Sequence, residues 1–513
     1  MKATFASAVA VALLASASSA GAVETVIDLS GQVPDGPERH FSVPFDVPEG
    51  TKEIAVHQLT LSDKNILDFG IMDPNGVWRG WGGSRIQDAV VGEQAATRSH
   101  VPGPIAAGKW EIVVGEAAVN ETPALFTLEV TLRDTPTLPP QTDRKPYVPT
   151  APLEVGERWY AGDFHVHSIE SNDAKPPLDQ IATYAESRGL DFVHISDHNI
   201  HTALDYMTDA QKAHPKLLFV PGAEYTTYWG HASAVGATQW VDDRTELPGH
   251  SIEQAVAAYH AQGAFFSLNH PALALGDACI GCAWEHELPV DQVDGIEIGT
   301  GKFGIINTDA IKLWDEYCDT GRHVVPLGGS DDHSGGADVS TFKAPIGSPT
   351  TMVWAKELSV AGILEALKNG RTVVKLKGPD DPMIELETLS GSDENHPLLH
   401  ATITGGAGLV ARVVKNGEYE PEVDIDADPF VIEEQIAAPD SGEDRYRVEV
   451  LEAGRPLTVT SHVWIERTPQ TPVTPVEETD DGGCGCSVPS RSGDTAALLA
   501  SALLGLALLG RRR

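Results

Sequence analysis

Stretches with different hydrophobic patterns follow one another along the chain. Over residues 23–134, apolar and polar positions alternate in short runs that are separated by Pro-Glu-Gly and Pro-Asn-Gly turns. This period of two with frequent turns is typical of antiparallel β-sandwiches. We therefore predict a β-sandwich accessory domain here. A carbohydrate-binding role is open to it, but Trp78, Trp81 and Trp110 fit core or loop aromatics better.

The pattern changes after a proline-rich segment. Residues 135–152 contain six prolines, which predicts a stiff linker. Residues 153–378 alternate apolar strands with amphipathic helices, which predicts an α/β fold of mostly parallel strands. Short strands return over residues 379–468 and predict a small Ig-like β domain. The predicted helices are 178–190, 251–262, 309–321 and 359–370.

Both ends of the chain resemble targeting segments. Residues 1–22 combine Lys2, a short apolar run and small residues, as secretory signal peptides do. Residues 469–493 form a predicted disordered stalk that contains the Gly-Gly-Cys-Gly-Cys motif at 482–486. Residues 494–513 hold an apolar run and three arginines. That run is shorter than the roughly 20 residues that span a bilayer.

The C-terminal segment resembles the MYXO-CTERM sorting signal of myxobacteria, on its cysteine motif, short apolar helix and arginine cluster. This resemblance implies trimming and surface display. We therefore expect a secreted, cell-surface protein of a Gram-negative, myxobacterial cell. Contact with the membrane is expected only through the tail before processing.

Composition narrows the possible partners. The net charge of −38, from 74 acidic and 36 basic residues, disfavours binding to long nucleic acids, which need a basic surface. Five cysteines are too few for a disulfide scaffold. Cys279 and Cys282 resemble a redox pair or half a zinc knuckle, but a local disulfide fits the exported setting better. Cys318 is expected to be a buried small hydrophobe.

Candidate chemistry is concentrated at predicted strand ends of the α/β region. A single histidine there is usually structural, but histidines and carboxylates recur at five strand ends. Active sites of barrel-type folds gather at the carboxyl ends of strands, and a bound cation offsets repulsion among carboxylates. The five clusters are 162–168 with His165 and His167, 192–199 with Asp197 and His198, 218–224 with Glu224 and then His231, 265–271 with His270, and 324–336 with Asp331 and His333.

In this order the five motifs resemble the PHP (polymerase and histidinol phosphatase) superfamily of metallohydrolases, and most closely its CehA/McbA-type branch. The resemblance implies a distorted (β/α)7 barrel between the two β domains and a centre of divalent metal ions. Three ions are implied if Asp173 is a ligand and two if it is not. The implied ligands are His165, His167, Asp173, His198, Glu224, His231, His270, Asp331 and His333.

The mechanism expected from this set is hydrolysis by a metal-activated water. Zn, Mn and Fe suit such mixed ligands about equally. We predict a phosphoesterase acting on a small-molecule ester. Carboxylate or carbamate ester hydrolysis, or non-catalytic surface binding, is the alternative. His231 is the candidate acid that protonates the leaving group. Asp197 and Asp332 are candidates to orient the metal ligands. Lys302 is the candidate substrate-binding cation, and the alternative for it is an ordinary surface ion pair.

Overall fold

A computed structural model describes residues 10–14, 23–59, 64–82, 88–302, 305–337, 344–393 and 395–467. These residues belong to one unit of the chain. The predicted signal peptide, apart from residues 10–14, lies outside the described residues, and so do the predicted stalk and sorting helix. No described helix combines the length and apolarity that crossing a membrane requires.

The N-terminal region is built from two antiparallel sheets. In chain order its strands are β1 (Ala10–Leu14), β2 (Glu24–Gln32), β3 (His40–Val47), β4 (Glu53–Gln58), β5 (Ile66–Met72), β6 (Trp78–Gly82), β7 (Asp88–Gly92), β8 (Gly108–Ala118) and β9 (Leu125–Arg133). One sheet has the order β1-β2-β9-β4-β7 and the other β3-β8-β5-β6. Alternate residues of β3, namely Val43, Phe45 and Val47, are buried in the shared core. Trp110 is fully buried there as well.

The middle region contains the strands and all five α-helices that surround the candidate site. Residues 135–152 reach it without forming a helix or strand. Its elements are β10 (Glu154–Val166), α1 (Leu178–Ser187), β11 (Phe192–Ile195), α2 (Leu204–Ala213), β12 (Leu218–Val220), β13 (Glu224–Thr227), β14 (Gly230–Val235), α3 (Ile252–Ala261), β15 (Phe265–Leu268), β16 (Gly295–Thr300), α4 (Ile305–Cys318), β17 (Val325–Gly329), β18 (Thr350–Leu358), α5 (Val360–Lys368) and β19 (Thr372–Lys375).

Local sequence explains where two of the helices begin. The Ser251 and Ser359 side chains accept hydrogen bonds from backbone amides three residues later and so cap α3 and α5. Three of the five described helices lie within the predicted windows, and α4 overlaps the window 309–321 but begins four residues earlier. The fifth, α2, was missed, although it buries Leu204, Met207 and Ala210 at helical spacing.

The strands of this region are paired in two sheets, and the closed barrel stays a prediction. One sheet runs β12-β11-β10-β18-β19 and the other β13-β14-β15-β16-β17. Isolated parallel bridges, Val166 to Asp332 and His198 to Glu224, connect their ends. The prediction of mostly parallel strands is right only in part, since β13–β14, β14–β15, β10–β18 and β18–β19 are antiparallel. The two-residue turn at Tyr228 and Trp229 permits only an antiparallel pair.

The C-terminal region continues the larger sheet. Strand β27 pairs with β19, so the sheet crosses the predicted boundary at residue 378. A second sheet, β20-β21-β25, packs on it, and Ile384, Leu399 and Val448 are fully buried between the two. The strands are β20 (Met383–Asp393), β21 (His396–Thr404), β22 (Val410–Lys415), β23 (Glu418–Tyr419), β24 (Val423–Asp424), β25 (Phe430–Gln435), β26 (Glu443–Glu452), β27 (Arg455–Thr460) and β28 (Val463–Glu466).

Candidate metal centre

The predicted ligands lie at or just beyond strand ends, as the sequence predicts. His165 is the second-last residue of β10, and His167 directly follows the strand. Because side chains alternate along an extended chain, both histidines point to the same face. His270 follows β15, and Asp331 follows β17. The backbones of His270 and Asp331 have φ of 31° and 55°. Such left-handed conformations cost ~1–3 kcal/mol each and are concentrated at functional sites.

The Asp331 carboxylate lies close to both His165 and His167. Its Oδ1 atom lies 3.3 Å from Nε2 of His165 and 3.2 Å from Nε2 of His167. The three donor atoms lie within 4.8 Å of one another, a spacing that one metal ion can occupy. This group is one of four such groups among the described residues.

Glu224 occupies the middle of the cluster. Its Oε1 atom lies 3.2 Å from Nε2 of both His165 and His270 and 3.3 Å from Nδ1 of His231. Its Oε2 atom faces the other side, 2.8 Å from Nδ1 of His198. Because its two oxygens face different histidines, this carboxylate has the geometry to bridge two ions.

Asp173 joins a third group, at the more open side of the cluster. Its Oδ2 atom lies 3.3 Å from Nε2 of His198 and 3.2 Å from Nε2 of His333. His167 completes the group. The structure thus brings together all nine predicted ligands, Asp173 included.

Unpaired buried atoms indicate that this cluster fits metal ions. Nε2 of His165, Nε2 of His167, Nδ1 of His231 and Oε2 of Glu224 are buried and lie close to other polar atoms, but none of them makes a hydrogen bond of suitable geometry. Buried polar atoms are almost always satisfied, so four such atoms within one cluster call for a shared partner. Histidine nitrogens and carboxylate oxygens are the donors that Zn, Mn and Fe accept.

Charges within the cluster are strongly coupled. Burial acts to lower the pKa of His165, but Glu224, Glu297 and Asp331 raise it well above its ordinary value. Burial acts to raise the pKa of Glu224, but its histidine neighbours hold it well below the usual range. Burial, with His333 and His198 nearby, lowers the pKa of His167 to about 3. The carboxylates that favour a proton on His165 would equally favour a divalent cation.

Glu297, on β16, is a functional residue that the sequence reasoning missed. Its Oε1 atom lies 2.9 Å from Nδ1 of His165, and its Oε2 atom accepts hydrogen bonds from the His270 amide and the Thr300 hydroxyl, both at 2.8 Å. A carboxylate on Nδ1 fixes the imidazole tautomer that leaves Nε2 free for a metal. The available signal was a buried glutamate in the apolar run Gly-Ile-Glu-Ile-Gly.

Two other outer contacts were also missed. Asn269 donates to Oε1 of Glu224 at 2.9 Å and holds that carboxylate in place. The carboxylate of Asp163 accepts hydrogen bonds from the amides of His165, Ser330 and Gly347, and so joins the ends of β10 and β17.

The segment 279–282 contacts His231 and His270, two of the histidines that face Oε1 of Glu224. Cys279 and Cys282 form a disulfide, as predicted, and Cys318 is free and buried. Nε2 of His231 lies 3.2 Å from the Ile280 carbonyl oxygen, and Nδ1 of His270 lies 3.1 Å from the Cys282 carbonyl oxygen. These carbonyls orient both rings. The Cys282 sulfur is near both histidines, but in a disulfide it offers no thiolate ligand.

The structure assigns other roles to the residues expected to orient the ligands. The Asp197 carboxylate accepts hydrogen bonds from the amide (2.6 Å) and hydroxyl (2.7 Å) of Ser168, and does not orient an imidazole. Burial raises its pKa to about 7. Asp332 binds the amides of Ser334, Gly335 and Gly336 and shapes the loop after β17.

The predicted substrate-binding and acid residues differ in their placement. Lys302 follows β16, is exposed, and is not among the described residues that line the cavity over the cluster. His231 lines that cavity. Its Nδ1 faces Glu224 and its Nε2 faces the Ile280 carbonyl, an arrangement that suits a metal ligand better than an acid.

This cavity opens over the cluster and has a volume of about 580 Å³. One side is formed by the candidate ligands, including Asp173, Glu224 and Asp331. The N-terminal β-sandwich also lines the cavity, through residues such as Leu59 and Phe126. The predicted accessory domain therefore forms part of the site.

Comparison with known proteins gives distant structural similarity only. No protein-family model and no curated protein matches the sequence. A two-domain protein from Bacteroides vulgatus, described as containing a predicted PHP-like metal-dependent phosphoesterase, is 20% identical over 62% of this chain and 99% of its own, with a TM-score of 0.38.

Two smaller solved structures are similar to part of the chain. A candidate metal-dependent phosphoesterase from Bifidobacterium adolescentis is 14% identical over 36% of this chain and 92% of its own, with a TM-score of 0.26. An amidohydrolase from Chromobacterium violaceum, with bound sulfate and no metal, is 15% identical over 36% and 93%, with a TM-score of 0.25. At these identities and TM-scores the similarity does not assign a function, which must rest on this chain's own side chains.

Proposed function

We propose that this protein is a metal-dependent hydrolase of ester bonds whose centre holds two or three divalent ions. The observation that supports this most strongly is the convergence of nine histidine and carboxylate side chains from separate strand ends, with four buried polar atoms of the cluster left without a hydrogen bond. A structural role alone would leave these polar atoms buried at a cost of ~1–3 kcal/mol each.

The four groups suggest which residues would hold the ions. One position lies among His165, Glu224 and His270, with His231 beside them, and another lies among His165, His167 and Asp331. A third lies among His167, Asp173, His198 and His333. Because one imidazole nitrogen binds a single ion, His165 and His167 would each serve only one of the two positions that they border. Divalent ions in such a site lower the pKa of water and polarise the oxygen of a scissile ester.

The protein residues hold this site ready for the reaction. Glu297 and the carbonyls of Ile280 and Cys282 accept hydrogen bonds from three imidazoles on the side away from the cluster, so the opposite nitrogens keep their lone pairs. Asn269 fixes one oxygen of Glu224. Ligands that are already oriented need little rearrangement during turnover.

The reacting group that we propose first is a phosphoester, as the resemblance to the PHP superfamily implies. A specific observation favours carboxylate or carbamate esters as the second candidate. The cavity is lined by Asp68 and Asp243 in addition to the acidic ligands. A phosphomonoester dianion would be repelled by the Asp68 carboxylate, and by Asp243 when it is ionised, because burial raises the pKa of Asp243 to about 7. An uncharged ester would not be repelled.

The test is metal-dependent turnover by residues 23–481, loaded with Mn²⁺ or Zn²⁺. Aryl phosphomonoester, phosphodiester, carboxylate ester and carbamate substrates share one leaving group and so compare reacting groups directly. We expect turnover of at least one class that is lost in His167→Ala and Glu224→Ala. An active, metal-replete double variant would contradict the proposal, and bound metal without any turnover would favour a surface-binding role.

We further propose that the protein is exported to the cell surface, as its two terminal segments suggest. The disulfide between Cys279 and Cys282 supports an oxidising compartment. Protease treatment of intact cells tests this proposal. Loss of the full-length protein, with a cytoplasmic marker preserved, is the expected result, and complete protection would contradict it.

A further inference from the structure

The N-terminal sandwich presents apolar side chains to the cavity over the metal centre. Leu59 and Leu125 line it while 44% and 51% exposed, so their surfaces are available to a bound molecule. Ile66 and Leu67, both half-buried, and the buried Phe126 extend the same surface. We call these five residues the apolar wall. Apolar surface in a concave site next to polar groups is typical of ligand-binding pockets.

Specific contacts hold the sandwich in place against the metal side. Tyr228 lies at the tip of the β13–β14 hairpin, which also contains Glu224 and His231. The Tyr228 hydroxyl donates to Oδ2 of Asp68 at 3.1 Å, and its ring stacks on His40 at a centroid distance of 5.2 Å. The hairpin that holds two candidate ligands is thus anchored in the sandwich.

A second contact fixes the other side of the interface. The Asn172 amide donates to the Trp81 carbonyl, and Asn172 directly precedes the candidate ligand Asp173. At Gly115 a Cβ atom would lie 2.1 Å from the Tyr228 hydroxyl, which shows how closely the two parts approach. The apolar wall therefore has a fixed position relative to the metal centre.

The chemistry of the cavity selects the kind of group that the wall can bind. Away from the candidate ligands, the cavity is lined by the apolar wall, by the carboxyl groups of Asp68 and Asp243, and by uncharged polar side chains that include Gln58 and Tyr228. Binding of an uncharged apolar group there is favourable, because the apolar surfaces of both the group and the wall are removed from water. A negatively charged group would lose hydration beside carboxylates.

We propose that the apolar wall is a substrate subsite that binds the uncharged, apolar part of the ester while the reacting group lies at the metal centre. The inference rests on the proposed function and deepens it, because it gives the N-terminal sandwich a direct role in substrate specificity. The substrate class is then an ester with an extended apolar group on one side.

Binding of alkyl hydroxamates tests the subsite without requiring turnover. A hydroxamate binds metal ions through its head group, so its tail reports on the surrounding surface. By calorimetry on the Mn²⁺- or Zn²⁺-loaded protein, we expect octanohydroxamate to bind at least about tenfold more tightly than acetohydroxamate. An eight-carbon hydroxamate that ends in a carboxylate should lose most of this advantage.

The variant Leu59→Asn/Leu125→Asn tests the wall itself. Both leucines are partly exposed, so the protein should fold, and acetohydroxamate should bind unchanged while the octyl advantage falls several-fold. Leu389→Asn, an exposed leucine on β20, is the matched control and should bind both ligands as the wild type does. Equal binding of short and long tails by the wild type would overturn the subsite alone. Failure of every hydroxamate to bind would overturn the metal centre and the subsite with it.

Discussion

Replacement of Glu297 by glutamine tests whether an outer carboxylate controls metal binding. Glu297 is buried and accepts three hydrogen bonds, from Nδ1 of His165, the His270 amide and the Thr300 hydroxyl. Glutamine has the same shape, but one of its two carboxylate oxygens becomes an NH₂ group. In either orientation of the amide, that NH₂ group faces a donor that needs an acceptor.

The size of the effect follows from these contacts. A buried donor without an acceptor costs ~1–3 kcal/mol, and ~1.4 kcal/mol corresponds to a factor of ten in an equilibrium constant. We therefore expect Glu297→Gln to lower the affinity for Mn²⁺ or Zn²⁺ about 10- to 100-fold, a range typical of partners that orient metal ligands. Turnover at limiting metal should fall in parallel and recover in part at high metal concentration.

The assay is competition for the metal with a fluorescent chelator, with circular dichroism to confirm folding. Glu287→Gln removes the same charge from an exposed position and is the matched control; its affinity should not change. A folded Glu297→Gln protein with wild-type affinity would refute the claim that this carboxylate orients His165.

Three further predictions follow from contacts around the site and from one distant ion pair. Gly329→Ala should abolish metal binding, because its Cβ would lie 2.3 Å from Cβ of His165, and metal content by mass spectrometry measures this. The double variant Cys279→Ser/Cys282→Ser should weaken metal binding in the same chelator assay, because the backbone carbonyls of residues 280 and 282 would no longer be held against His231 and His270. Unchanged affinity would contradict this prediction. The hydrogen bond from His260 to Asp294 raises the His260 pKa. The stabilisation by this hydrogen bond is therefore present below about pH 6.5 and is lost as the pH rises through the raised pKa of His260. Urea unfolding should show that His260→Gln lowers the free energy of unfolding more at pH 5.5 than at pH 9.

The positions of the candidate ligands could be predicted because each is marked locally in the sequence. An apolar strand that ends in a histidine or carboxylate places that side chain at a strand end, and strand ends gather at one edge of a sheet. His165 and His167 share a face for the additional reason that strands alternate with a period of two. The structure agrees with both arguments.

Residues whose role depends on a distant partner could not be predicted in the same way. Glu297 orients His165 across 132 positions of sequence, and no neighbouring histidine marks it. Asp197 was expected to orient an imidazole because it precedes His198, but its carboxylate points to Ser168. The direction of a side chain at an irregular strand end is set by packing, which the local pattern does not contain.

The part played by the N-terminal sandwich was missed for a related reason. Alternation in the sequence predicts that a sandwich forms, but not which of its edges docks against the metal side. The contact between Tyr228 and Asp68 joins positions 160 residues apart. Exposed leucines such as Leu59 and Leu125 are also common on any surface, so they become informative only once the cavity is known.

The measurement that tests the central claim most directly is an anomalous difference map from crystals of residues 23–481 grown with Mn²⁺. The account predicts at least two strong peaks inside the cluster, one near Glu224 and His270 and one near Asp331 and His167, with a third beside Asp173 if all nine ligands bind metal. A well-ordered cluster in saturating Mn²⁺ without anomalous peaks would contradict the proposal that this site is a metal centre.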